Sequence, residues 1–305
     1  MKILVLGGTG FLGSRIVDRL INLNHTVSVI TRNEDNIVKL QEKGVQGYVG
    51  DLMNPVFIKE IPNHDFVVNV AMPLEFGRIS KKKLDKMRKR TTKFVSTALM
   101  AGRQFDCPTV LTLGTSFKTE GNEVADESWP LVREGLAAVG DEADEIILDA
   151  VNQGQPIIRM YPGQIYGPGG QMKKMYDMMM SGKFGLIGDG ENYIPRIHVE
   201  DCAEAFVLAI EKNAVGEKYI IADDTPVTMK DFTYYMAELA GKEKVRKIPK
   251  LLARLIMGKA LVKTMEMNCI VTNEKAKREL GWSLRYPSYK EGLKVTIAEL
   301  DKSGG

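Results

Sequence analysis

Apolar and polar residues alternate in blocks along the first half of the chain. Runs of strand length with nearly unbroken apolar character lie at Lys2–Leu6, Thr26–Thr31, Val45–Val49, Phe66–Ala71, Thr109–Leu113 and Pro156–Met160. Helical patterns separate them, beginning with Phe11, Leu12, Ile16 and Leu20 and continuing with a short helix over Asp35–Lys43. Strands alternating with helices predict an α/β fold, a doubly wound parallel sheet with right-handed crossovers, covered on both faces. In the second half, strand-like pieces at Phe184–Ile187 and Lys218–Ile221 alternate with helical stretches at Val199–Lys212 and Met229–Gly241, which predicts a smaller C-terminal α/β lobe.

The first strand runs into a glycine cluster, Gly7, Gly8, Thr9, Gly10, Phe11, Leu12 and Gly13, and leaves it on a helix. This is the Rossmann-type arrangement for a dinucleotide. Gly7 and Gly8 allow a tight turn, Gly10 lets backbone approach a pyrophosphate, and Gly13 lets the helix lie close on the sheet. The helix N-terminus adds unpaired N–H groups and the positive end of its dipole. At the end of the second strand, a carboxylate would accept hydrogen bonds from the adenosine ribose and repel a 2′-phosphate. Thr31, Arg32 and Asn33 stand there instead, and Arg32 offers a charge-assisted partner to that phosphate, so NADP is expected over NAD.

With 305 residues and 44% hydrophobic content, the chain can bury a substantial core. A formal charge of +3 demands neither nucleic acid nor membrane. Cys107, Cys202 and Cys269 are widely separated and form no CxxC pair, so neither a disulfide framework nor a metal site is expected, and a reducing cytoplasm fits. No apolar run is long enough to span a bilayer. The basic stretch Arg78–Lys93 lacks interleaved aromatics and reads as a solvated helix face rather than a nucleic-acid site. His198 reads as a core histidine, and His25 and His64 as exposed. Ile248–Met267 is an apolar, lysine-punctuated helical stretch. It reads as a core helix of the lobe, with contact to a membrane surface or a lipid-like substrate as its other reading.

Collinear marks now join the glycine loop: Gly50-Asp51-Leu52, Tyr166-Gly167-Pro168-Gly169, Gly188-Asp189-Gly190, Ile197-His198-Val199 with Asp201, and Leu280-Gly281-Trp282. Together they resemble the extended short-chain dehydrogenase/reductase family, which contains nucleotide-sugar epimerases and dehydratases. The resemblance implies that Asp51 and Leu52 sit near the adenine and that Asn69, Ala71 and Met72 line the nicotinamide side. It also implies a nucleotide-binding domain over 1–160 and a substrate-binding lobe over 161–305, with some lobe elements returning to the main sheet. Pro162, at the junction, is grouped with the cofactor-facing residues.

Members of that family carry a Tyr-x-x-x-Lys on the helix after the fifth strand and a Ser or Thr at that strand's end. The tyrosine exchanges the substrate's proton, the lysine lowers the phenol pKa, and the hydroxyl orients the substrate oxygen. Here the hydroxyl survives as Ser116, but the helix expected over Leu131–Val151 contains neither Tyr nor Lys. Tyr161, which ends the sixth strand where the family usually has arginine, is the candidate replacement acid; aromatic packing is its other reading. The expectation is an NADP-dependent oxidoreductase or epimerase-like enzyme of non-standard design, acting on a small organic or nucleotide-linked substrate. The alternative is a non-catalytic NADP(H)-binding sensor, assembly or RNA-associated protein on the same fold. A homodimer is left open.

Overall fold

A computed structural model describes residues 1–73, 75 and 77–304. The elements run β1 (Lys2–Leu6), α1 (Phe11–Asn22), β2 (Thr26–Thr31), α2 (Asp35–Glu42), β3 (Gln46–Val49), β4 (Phe66–Asn69), α3 (Lys81–Phe105), β5 (Thr109–Thr112), α4 (Asp141–Asn152) and β6 (Ile157–Pro162). They continue with β7 (Gln164–Tyr166), α5 (Gly170–Met180), β8 (Gly185–Ile187), β9 (Arg196–His198), α6 (Val199–Glu211), β10 (Lys218–Ile221) and α7 (Met229–Leu239). The last are β11 (Arg246–Ile248), α8 (Lys250–Met257), α9 (Lys259–Met265), α10 (Glu274–Leu280) and α11 (Tyr289–Gly304). Seven parallel strands form the main sheet in the order β10-β6-β5-β4-β1-β2-β3. The strand order reverses between β1 and β4, which places the crevice of a doubly wound sheet beyond their carboxyl ends.

Strand alternation explains the unbroken apolar runs. Ile3, Val5, Val29, Val68, Val110 and Ile158 pack on one face under α1 and α6. Leu4, Leu6, Val67, Leu111 and Ile157 pack on the other under α3 and α4. Each strand is therefore apolar at successive positions because both of its sides are buried.

Three expectations need correction. The helix expected over Leu131–Val151 starts only at Asp141, after a 3-10 turn over Gly135–Gly140. Gly135 has φ +62°, and a Cβ there would stand 2.8 Å from the Ala260 carbonyl, so tertiary contact with α9 shapes this segment. The stretch Ile248–Met267 is no single core helix. It breaks at Gly258 (φ +93°), and the large aliphatic side chains of α8 face outward. Neither His25 nor His64 is exposed: the His25 ring is largely covered beside Glu211, and His64 is buried more deeply, its Nε2 2.9 Å from Ser28 Oγ and its Nδ1 2.7 Å from the Pro62 carbonyl. Burial holds the His64 pKa below the usual imidazole value.

The C-terminal half is tied to the sheet by a buried polar layer. β10 adds to β6, and α6 packs on α1. The Asp201 carboxylate accepts the N–H groups of Arg285 at 2.8 Å and Tyr286 at 2.9 Å, while Trp282 Nε1 donates to its carbonyl at 3.1 Å. Nearby, the buried Arg196 guanidinium stacks 3.8 Å from the Phe232 ring centroid. Asp223 follows β10, its Oδ1 accepting from Thr225 N–H at 3.3 Å and its Oδ2 buried without a partner among the described residues. Burial pushes its carboxyl up to about 8, against the Thr225 bond and the Arg196 charge, which favour ionisation.

This has a pH consequence. Between about pH 4 and 8 the native Asp223 keeps a proton that the unfolded chain releases, so its contribution to stability is lost as pH rises through that window. Asp223→Asn should therefore stabilise the protein relative to the wild type progressively more from pH 4 to pH 8, read by urea midpoints. An unchanging gap between the two proteins would refute the burial of an uncompensated carboxyl.

Candidate functional site

The loop from β1 to α1 is held by contacts that exclude side chains. Gly7 (φ +88°) lies where a Cβ would stand 2.8 Å from Ala71 N, which brings the ends of β1 and β4 together. A Cβ on Gly13 would fall inside the van der Waals shell of the Gly7 carbonyl oxygen, and one on Gly8 would stand 2.7 Å from the Val29 side chain. Gly10 differs. It is exposed, its N–H donates to the Gly7 carbonyl at 2.9 Å, and a Cβ there would meet only that carbonyl oxygen, at 3.1 Å. No side chain caps α1 and no acidic residue occupies its first turn. Its leading N–H groups therefore face the crevice, a setting suited to a pyrophosphate.

The candidate residues follow the carboxyl ends of the strands. At the β2 end, Thr31 Oγ1 accepts from Asn33 N–H at 3.2 Å and Asn36 Nδ2 at 3.0 Å, and the Thr31 carbonyl accepts from Gly50 N–H at 2.9 Å. These bonds set Asn33 and Asp51 around the same strand end. Arg32 is exposed between them and makes no hydrogen bond or ion pair among the described residues. Asp51 is exposed, its Oδ1 accepting from Met53 N–H at 3.0 Å, while Leu52 is buried and its carbonyl accepts from Thr97 Oγ1 at 2.8 Å. At the switch point Asn69 is buried, its Oδ1 accepting from Ala71 N–H at 3.3 Å and its carbonyl from Thr112 Oγ1 at 2.9 Å. Met72 is exposed next to it. Phe11, at the head of α1, meets a turn made of Gly167, Gly169 and Gly170, all at positive φ, where added Cβ atoms would stand 3.3, 3.3 and 3.0 Å from its ring.

The residues on either side of Ser116 touch the end of β6. Thr115 Oγ1 donates to the Tyr161 and Pro162 carbonyls, and the Phe117 ring lies 6.0 Å from the Tyr161 ring. Ser116 is buried, its hydroxyl donating to the Gly114 carbonyl at 3.3 Å. Tyr161 is buried among Phe117, Ala125, Ile220, Ala222 and Cys269. Burial raises its pKa, and the charges of Arg159 and Arg133 oppose the rise.

Sequence reasoning missed Arg133. Its guanidinium pairs with Asp141 Oδ1 at 3.3 Å and with Asp144, both in the first turn of α4. Val132 N–H donates to the Ser116 carbonyl at 2.6 Å, so the arginine's own strand of chain runs beside Ser116. The available signal was its isolation: Arg133 is the one basic residue among six acids between Leu131 and Val151.

A family model described as the NAD dependent epimerase/dehydratase family matches residues 3–222. The 4-hydroxy-2-methyl-3-oxo-4-farnesyl-3,4-dihydroquinoline-1-oxide ketoreductase of Stigmatella aurantiaca is 25% identical over 320 residues, which covers 96% of this chain and 95% of the relative. Among solved structures, the Thermotoga maritima UDP-glucose 4-epimerase with UDP-glucose superposes with a TM-score of 0.82 at 22% identity, covering 100% of both chains. The human epimerase family protein SDR39U1 with NADPH gives 0.80 at 18% identity, covering 98% of this chain and 99% of the other.

Two glycines should separate folding from nucleotide binding. Gly13→Ala should destabilise the chain by about 2–3 kcal/mol, because the added Cβ meets backbone that cannot move aside. Gly10→Ala, at φ −83°, should cost less than about 1 kcal/mol yet weaken dinucleotide binding at least about ten-fold. Thermal melts and fluorescence titration with NADPH check both. Equal nucleotide affinity in Gly10→Ala would refute the cradle.

Proposed function

Since the chain belongs to the NAD dependent epimerase/dehydratase family, we propose that it is an NADP(H)-dependent reductase of a small organic carbonyl compound, with Tyr161 as proton donor and Ser116 orienting the carbonyl oxygen. The observation that carries this reading is the uncapped α1 N-terminus over a glycine cradle, beside a β2 that ends on Thr31, Arg32 and Asn33 with no carboxylate of its own. Bound NADPH would supply the hydride. Gly7–Gly13 would hold its pyrophosphate, Thr31, Arg32 and Asn33 its 2′-phosphate, Asp51 and Leu52 its adenine, and Asn69, Ala71, Met72 and Pro162 its nicotinamide end. The NADPH named with the human relative and the ketoreductase activity named for the Stigmatella relative support this direction of chemistry.

α4 carries neither Tyr nor Lys, so the acid must come from elsewhere. Tyr161 lies next to the Ser116 segment, and its phenol, protonated at neutral pH as an ordinary tyrosine is and pushed further that way by burial, suits a group that gives a proton away. Arg133 takes the part of the absent lysine. Its charge, with that of Arg159, moderates the burial-driven rise of the phenol pKa, and Asp141 and Asp144 hold the guanidinium in position. Ser116 Oγ, whose present bond to the Gly114 carbonyl is long, can be re-aimed at a substrate oxygen.

The same α4 sequence favours a second reading, a protein that binds NADP(H) without turnover. Oxidation of bound NADPH by a panel of aldehydes and ketones separates the two. Tyr161→Phe should lower kcat by about 10²–10⁴-fold with NADPH affinity unchanged. If no carbonyl is reduced and the variant behaves as the wild type, the binding reading replaces the catalytic one. Independently, Arg32→Ala should reduce the preference for NADP over NAD by about 10-fold or more, the value of one charge-assisted hydrogen bond. An unchanged affinity ratio would remove Arg32 from the site.

A further inference from the structure

α8 is oriented opposite to an ordinary surface helix. Its buried residue is the small Ala253, while Leu251, Leu252, Leu255 and Ile256 are 74, 47, 67 and 57% exposed. These four positions form one face of the helix, so the exposure is a continuous aliphatic stripe rather than scattered side chains.

Charge is concentrated around that stripe. Residues 242–263 carry eight basic side chains and one acidic, and residues 78–93 carry nine and one, a net +15 that Glu75, Glu134 and Glu266, ion-paired with five of these basic side chains, reduce to +12 on a chain whose total is +3. The remainder of the molecule is net acidic. The two stretches meet in space: Ile79 N–H donates to the Met257 carbonyl at 2.8 Å, and Gly258 lies so close to the Ile79 carbonyl that no Cβ fits between them. The C-terminal end of α8 therefore abuts the basic N-terminal end of α3.

We propose that α8, framed by the basic stretches 78–93 and 242–263, docks this protein reversibly on an anionic phospholipid surface, with Leu251, Leu252, Leu255 and Ile256 inserted at the headgroup boundary. Charge complementarity selects this occupant. Aliphatic side chains enter the acyl boundary while Lys and Arg stems extend beside them to the phosphates. A second copy of the chain would bring two strongly positive surfaces together, and lysine is depleted from the buried centre of protein interfaces. Single-stranded nucleic acid would use stacking aromatics, and neither stretch contains Phe, Tyr or Trp. The proposal stands independently of the reductase reading.

Flotation of the full chain with vesicles tests it. The protein should float with phosphatidylcholine vesicles containing phosphatidylglycerol at least about ten-fold more than with phosphatidylcholine alone, and added salt should reduce the difference. Leu251→Glu with Leu255→Glu should abolish flotation while leaving the melting temperature unchanged, since both side chains are already exposed. Absence of flotation with the anionic vesicles, or flotation unaltered in the double variant, would overturn the proposal. A dimer in solution that the double variant splits would overturn it too, and would assign the stripe to a second copy.

Discussion

No side chain fits between the head of α1 and the Gly7 carbonyl, and the structure depends on that contact. Because Gly13 rests on the loop, α1 starts immediately beyond the β1 end and points its leading N–H groups into the crevice. Because Gly7 itself lies against Ala71, the same loop joins the two central strands where their order reverses. Phe11, fixed at the first position of α1, then becomes the surface on which the glycine turn at 167–170 closes. Helix, sheet and lobe thus meet around a few backbone atoms, and a methyl group added at Gly7 or Gly13 would push them apart.

The main sheet was legible because burial on both faces writes an unbroken apolar run, and α1 was legible from Leu12, Ile16 and Leu20. Tertiary contacts account for the misreadings. Residues 135–140 are rich in Ala, Leu and Val and look helical, but the approach of Ala260 and Thr264 to Gly135 bends them into a tight turn. The pattern of α8 announces an apolar face without saying whether it points inward, and it points outward. His64 looked like a polar residue before a strand, yet Ser28, thirty-six positions earlier, lies against its ring.

The same division runs through the candidate site. The loop glycines fall at the spacing of a dinucleotide-binding turn between a strand and a helix, so their positions could be read directly. Arg133 could not, because its meaning depends on neighbours from α4 and β6 that only the fold assembles. A lone base among six acids marks Arg133 as unusual in sequence, but not which groups it faces.

On the proposed reading, dispersing the acid and the cation over β6 and the loop before α4 has a chemical consequence. A lysine can lose its proton when buried, whereas a guanidinium keeps its charge, so Arg133 would act on Tyr161 at every working pH. That charge is shared with two carboxylates, however, which weakens its field at the phenol. Burial therefore prevails, and the Tyr161 pKa moves up rather than down. The protonated phenol is then the form that meets the alkoxide created by hydride addition to a carbonyl, a base strong enough to take its proton. In the reverse direction, the phenolate needed to accept a proton is scarce at neutral pH. The two directions would then differ in their pH dependence: reduction uses the protonated phenol and oxidation its phenolate, so oxidation gains from a rise in pH that reduction does not need.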